Sequence, residues 1–190
     1  IYNTFLNHPD CLCGNTKEMD GWSIVGNPGW YDYSMGDSTY DIEDFKKRTK
    51  NGRVWQDSIN VKWLKSDREV HTIMLQDIEE KLFSCRGQKI IAVTHMLTLP
   101  EFKVPDSRPD WDYFNAFLGS KDYGELFKTC NVQYSIMGHV HYRKQLSKNG
   151  VDFRCVCLGY HTEWRSGNAS REVQDALSII NTNTEKDIQT

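Results

Sequence analysis

"SDREVHTIMLQDIEEKLFSCRG" (66–87), running straight into "QKIIAVTH" (88–95), is the stretch whose reading decides the fold. Val70, Ile73, Met74, Ile78 and Leu82 recur at helical spacing and predict one apolar stripe. Ser66 and Glu69 fit a capping box, and Gly87 is a natural stop. His71, beside Val70, reads as a helix-surface histidine. The Ile-Ile-Ala-Val run that follows is continuously apolar over a strand's length, the pattern of a strand buried on both faces. A helix feeding such a strand is the building unit of a parallel sheet, so the expected class is α/β.

The pattern then repeats. "SKDYGELFKTC" (120–130) predicts a helix and "VQYSIMG" (132–138) a strand. "HYRKQLSKNGVDFRCVCLGY" (141–160) reads as a hairpin turning at Asn149-Gly150. Upstream, "WSIVGN" (22–27) is a short strand closed by Asn27-Pro28-Gly29, and "DIEDFKKRTK" (41–50) a short charged helix. "DALSIIN" (175–181) reads as a last strand. One domain over 1–181 and a polar tail over 182–190 are expected.

Composition narrows the function classes. Apolar residues at 38% and charged residues at 26% suit a soluble globular domain. A net charge of −3 gives no basic field to attract nucleic acid. No apolar run approaches the ~20 residues of a membrane helix. The first residues, "IYNTFLNHPD", lack the layout of a signal peptide, so a cytoplasmic location is expected. The Cys11/Cys13 and Cys155/Cys157 pairs lack C-x-x-C spacing, which disfavours a zinc knuckle. Cys155 and Cys157 alternate along an extended run, as small residues on one strand face do.

Both inner strands end in histidine: "IIAVTH" delivers His95, and "YSIMGH" delivers His139. Ligands of open α/β sheets bind beyond the carboxyl ends of the strands, so neighbouring parallel strands would bring both to one rim. His141 follows two residues on, where a short turn would point it into the same cleft. Neutral imidazole is the commonest metal ligand and suits zinc, iron, nickel and copper. Arg143 could meet a substrate phosphate or serve as an ordinary strand residue. His161 is either a further cleft residue or a surface-loop histidine. The aromatic connections around Trp30, Tyr31, Tyr33, Trp111, Tyr113 and Phe114 either wall a cleft or anchor the core.

"VTH" after a buried strand, and "GHVH" some forty residues later, resemble the last two metal motifs of the calcineurin-like metallophosphoesterases. "GWYDYS", "GR-W-D", "VTHM", "WDYFNAFLGS", "GHVHYR" and "CLGY" are similar to a bacterial branch of that family, over nearly the whole chain. The resemblance implies a four-layer α/β/β/α sandwich with two facing mixed sheets, of which this chain is the C-terminal half. It implies two divalent ions (Mn, Fe or Zn), one held by His95 and His139 and the other by His141. It implies hydrolysis of a phosphomonoester or phosphodiester by a metal-activated water.

The family's D-x-H, G-D-x-x-D and G-N-H-D/E motifs are not here. "MGDSTYD" (35–41), "VGNPGW" (25–30) and "LNHPD" (6–10) come near and fail on spacing or residue type. Three neutral imidazoles cannot neutralise two divalent cations, so carboxylates are needed as well. The chain is therefore expected to be incomplete, to bind metal weakly and hydrolyse little alone, and to pair its exposed apolar face with a missing N-terminal segment or with itself. The alternative is a non-catalytic binding or regulatory module that keeps half of the fold.

Overall fold

The computed structural model describes residues 2–182, with side chains from residue 4 onward. A short helix α1 (Tyr2–Leu6) precedes β1 (Lys17–Met19) and β2 (Trp22–Gly26). There follow α2 (Ile42–Lys46), a ribbon of β3 (Thr49–Lys50) and β4 (Arg53–Val54), and α3 (Asp57–Asn60). The long α4 (Asp67–Ser84) feeds β5 (Lys89–Val93). After α5 (Trp111–Phe114), α6 (Lys121–Thr129) feeds β6 (Tyr134–Met137). The hairpin of β7 (Arg143–Lys148) and β8 (Val151–Val156) and then α7 (Ala169–Ala176) complete the fold.

Six strands form one mixed sheet in the order β1-β2-β5-β6-β8-β7. The four inner strands run parallel, with Val25 opposite Ala92, Ala92 opposite Ser135, and Ser135 opposite Phe153. Their carboxyl ends therefore share one edge. The edge strands β1 and β7 run antiparallel to their neighbours. The α/β class holds. Among the described residues the only other sheet is the β3–β4 ribbon, so the second large sheet expected of a sandwich is not among them.

On α4 the Glu69 amide donates to Ser66 Oγ, and Glu69 Oε2 accepts the Ser66 amide at 2.9 Å, so the predicted capping box forms. The predicted stripe is only partly right. Val70, Ile78 and Leu82 are buried, but Ile73 is 49% exposed and His71 only 4%. At about 100° per residue, His71 falls between Ile78 and Leu82 on the helical wheel, while Ile73 lies about 60° outside Val70. Ile78 and Leu82 join Leu99, Tyr123 and Phe127 in the main core. Each such side chain contributes about 1.5–3 kcal/mol by leaving water.

The hairpin turns where expected, with positive φ at Asn149 (52°) and Gly150 (82°), as a type I′ turn requires. Two expectations need correction. The charged helix stops at Lys46, because Arg48 takes a φ of 52° and turns the chain into β3. In place of the last strand, residues 175 and 176 end α7 and 177–181 form neither helix nor strand; the N-cap of α7 is the Asn168 side chain accepting the Arg171 amide. Of the polar tail, residues 183–190 lie outside the described residues.

Candidate active site

The backbone fixes the rim before any side chain acts. Beyond β5, the His95 and Met96 amides both donate to the Pro28 carbonyl at 3.0 Å, and the Gly138 amide donates to the His95 carbonyl at 3.1 Å. His95 is thus clamped between the segments that follow β2 and β6. His139 adopts a φ of 67°, a left-handed conformation that a non-glycine residue holds only when its surroundings enforce it. That turn sets His139 Nδ1 2.9 Å from His95 Nε2. Beneath the turn, the buried Cys155 thiol donates to the Tyr142 carbonyl at 3.2 Å. Burial pushes this thiol up to about 12, so Cys155 is a packing and tethering group, not a nucleophile.

His141 stands beside the pair. Its Nδ1 lies 2.8 Å from Glu163 Oε2, which also accepts the Tyr160 amide at 2.8 Å. Those bonds, the Tyr160 amide first and His141 after it, hold Glu163 below the usual carboxylate range. With Nδ1–H given to Glu163, the lone pair of His141 sits on Nε2.

His95, His139 and His141 line one cleft of about 860 Å³. Asp57 and Glu163 bring carboxylates to the same cleft, and Arg53 and Arg108 bring positive charge. Trp55, Trp111 and Tyr160 stand in its wall. Trp55 donates to Asp57 Oδ2 at 2.9 Å and meets the His139 ring edge-on at 5.9 Å. Burial, then the nearby His95, pushes His139 down to about 3. Partial burial lowers His95, and Asp57 opposes that shift. Both rings are therefore neutral near pH 7, the form a metal requires.

The fit to a divalent ion can be judged from the donors alone. Two nitrogens bonded tetrahedrally to one ion at ~2.0–2.1 Å lie roughly 3.3–3.4 Å apart. The His95–His139 spacing of 2.9 Å is that of a hydrogen bond between the metal-free rings and falls within about half an ångström of such a chelate. Asp57 and Glu163 provide the negative charge that three imidazoles lack.

Arg143 borders a small neighbouring pocket with His141 and Glu163 and not the main cleft, and His161 lines neither. Arg143 is tied to Glu172 Oε2 at 2.7 Å and is not among the residues lining the cleft. Glu172 is held down to about 2 by Arg143 first and then by the Ser166 and Arg165 amides. His161 is exposed and also outside the cleft lining. Most of the aromatic connection is core: Trp30, Tyr31, Tyr33, Tyr113 and Phe114 are buried together, and only Trp111 reaches the cleft.

The near-miss motifs have structural work. Asn27 donates to the Met74 carbonyl and to Asp77. Asp37 accepts the Thr39 amide, Asp41 caps α2, and His8 accepts the Asp10 amide. Sequence reasoning missed Asp57, Arg108 and Glu163, which lie on irregular segments. It also misplaced His71, whose imidazole is buried beside Asp32 and Asp122. The ligand atoms of these three residues all lie within 4.8 Å of one another.

Comparison with family descriptions and with curated proteins finds no match. Among solved structures, the chain is similar to the phosphopantetheinyl hydrolase PptH from Mycobacterium tuberculosis, with a TM-score of 0.63 and 20% identity. The match covers 84% of this chain and 56% of that one, so the chain spans little more than half of its structural relative. At this identity the likeness shows the fold alone. The calcineurin-like family expected from the motifs does not hold: no family description matches, and the solved structure named above is called a phosphopantetheinyl hydrolase.

Proposed function

We propose that the cleft hydrolyses a phosphomonoester or a phosphodiester with the help of divalent metal ions. The observation that carries the reading is the convergence of His95, His139 and His141 on one rim, with the first two 2.9 Å apart. His95 and His139 would hold one ion of the Mn, Fe or Zn type, and His141 a second, with Asp57 and Glu163 balancing charge. Such ions supply a nucleophilic hydroxide near neutral pH and draw charge from the phosphoryl oxygens.

The chain's own groups orient the substrate. Arg108 and Arg53 offer guanidinium groups to the phosphate oxygens. Arg53 is held over the Phe114 ring at 4.8 Å, which fixes the direction of its fork. Trp55 and Trp111 would wall one side of the bound substrate. The name of the structural relative, a hydrolase of a phosphopantetheinyl compound, agrees with hydrolysis as the reaction class.

The finer architecture belongs to the same proposal. Trp22, Ile91 and Tyr134 share one sheet face with the half-buried Ile24, Val93 and Ile136. A second sheet lying there would complete the four-layer sandwich.

The test is hydrolysis of aryl phosphomonoesters and diesters with manganese added. Turnover should stop with chelator and in the His139→Ala/His141→Ala variant. Equal turnover by that variant removes the histidines from the mechanism. No turnover by wild-type protein with bound manganese supports a binding module instead.

A further inference from the structure

A second constellation lies outside the cleft, where the segment after β2 meets α4 and α6. His71 on α4 is 4% exposed, and its Nδ1 lies 3.1 Å from the Trp30 carbonyl oxygen. A carbonyl only accepts, so Nδ1 carries the proton. In the neutral ring Nε2 then carries the lone pair, and it faces Asp122 Oδ2 at 3.1 Å. A lone pair facing a carboxylate repels unless a positive charge lies between them. Asp32 brings a second carboxylate, with its ligand atom within 4.8 Å of both others. Its Oδ1 accepts the Ser34 amide at 3.0 Å, which orients the group.

We propose that Asp32, His71 and Asp122 hold a divalent cation that staples the segment after β2 to α4 and α6. Two carboxylates match the charge of one such ion, and one imidazole with two carboxylates suits manganese, iron or zinc. A proton on Nε2 would pair with Asp122 alone, whereas an ion would engage Asp32 as well. The Trp30 carbonyl already fixes the tautomer and ring orientation that a metal-bound imidazole needs. The Asp122 side chain is 55% exposed, which leaves the ion a way in. The segment is fastened a second time where the Trp30 amide donates to Tyr123 Oη at 3.1 Å. This same segment carries the Pro28 carbonyl that clamps His95, so the staple would stiffen one wall of the cleft.

Equilibrium dialysis against cobalt(II), with metal counted per folded chain, tests the site apart from the cleft. In a His95→Ala/His139→Ala/His141→Ala background, one cobalt per chain should remain. Adding Asp122→Asn should weaken that binding by at least about tenfold. A folded background variant that holds no cobalt overturns the site, and so does binding unchanged by Asp122→Asn. If the background variant does not fold, Asp122→Asn and Asp32→Asn alone should each lower the stoichiometry of the otherwise intact protein by one ion. An unchanged stoichiometry overturns the proposal. Failure here leaves the cleft untouched, and loss of metal only at the cleft leaves this site standing.

Discussion

His139 Nδ1 and His95 Nε2 lie 2.9 Å apart although 44 residues separate them in sequence. Two neighbouring parallel strands deliver them, and a left-handed turn at His139 completes the approach. If the pair is a metal chelate, either half should fail without the other. His95→Ala should weaken manganese binding at the cleft by more than the roughly 10–100-fold typical of losing a supporting group. Titration calorimetry of the two single variants and their double should show strong non-additivity.

His139 also makes a pH prediction for metal-free protein. Its folded pKa is about 3, while an unfolded histidine titrates near 6.5. The folded state binds the proton less well. Stability from this group is thus complete above pH ~6.5 and is lost as pH falls from there towards 3, at up to about 1.4 kcal/mol per pH unit. Urea midpoints at pH 7, 5.5 and 4 should fall less steeply for His139→Gln than for wild type.

Glu163 is a positioning residue. Its bond to His141 fixes which nitrogen faces the cleft. Glu163→Gln should lower metal affinity about tenfold while leaving the thermal midpoint nearly unchanged. A large loss of stability with unchanged affinity would make Glu163 merely structural.

Glu172 behaves in the opposite way. It accepts from Arg143 and from the Arg165 and Ser166 amides. Glu172→Gln should lower the melting temperature and free the 165–172 turn to exchange faster in hydrogen-exchange measurements. It should alter metal content little, because neither Arg143 nor Glu172 lines the cleft that holds His95 and His139.

Packing gives the sharpest stability prediction. A Cβ at Gly119 would sit 2.0 Å from the Leu97 carbonyl oxygen, against backbone that cannot yield. Gly119→Ala should destabilise by about 3 kcal/mol, read from urea unfolding.

These residues also show what a sequence can reveal. His95, His139 and His141 were legible because each sits at or just past the end of an apolar run, and a parallel sheet forces such ends together. Asp57, Arg108 and Glu163 were not legible. They reach the cleft along turns and one-turn helices, where no periodicity fixes direction. For Arg143, adjacency to "GHVH" pointed to the cleft; it lines a small pocket beside His141 and Glu163 and bonds Glu172, 29 residues on. His71 is different: its angle on the α4 wheel already placed it on the buried face, and only its polarity argued otherwise. The α/β class followed from helix-to-strand succession. "DALSIIN" misled because its apolar residues follow directly on α7, whose last turn takes Asp175 and Ala176, and 177–181 form no strand.

The most direct test of the metal-dependent cleft measures bound manganese and the initial rate of aryl phosphodiester hydrolysis in the same sample, for wild type and for His139→Ala. The account predicts that the wild-type rate rises and saturates with bound manganese, while the folded variant shows neither the added binding nor the rise. An equal, manganese-dependent rate in the variant would contradict it.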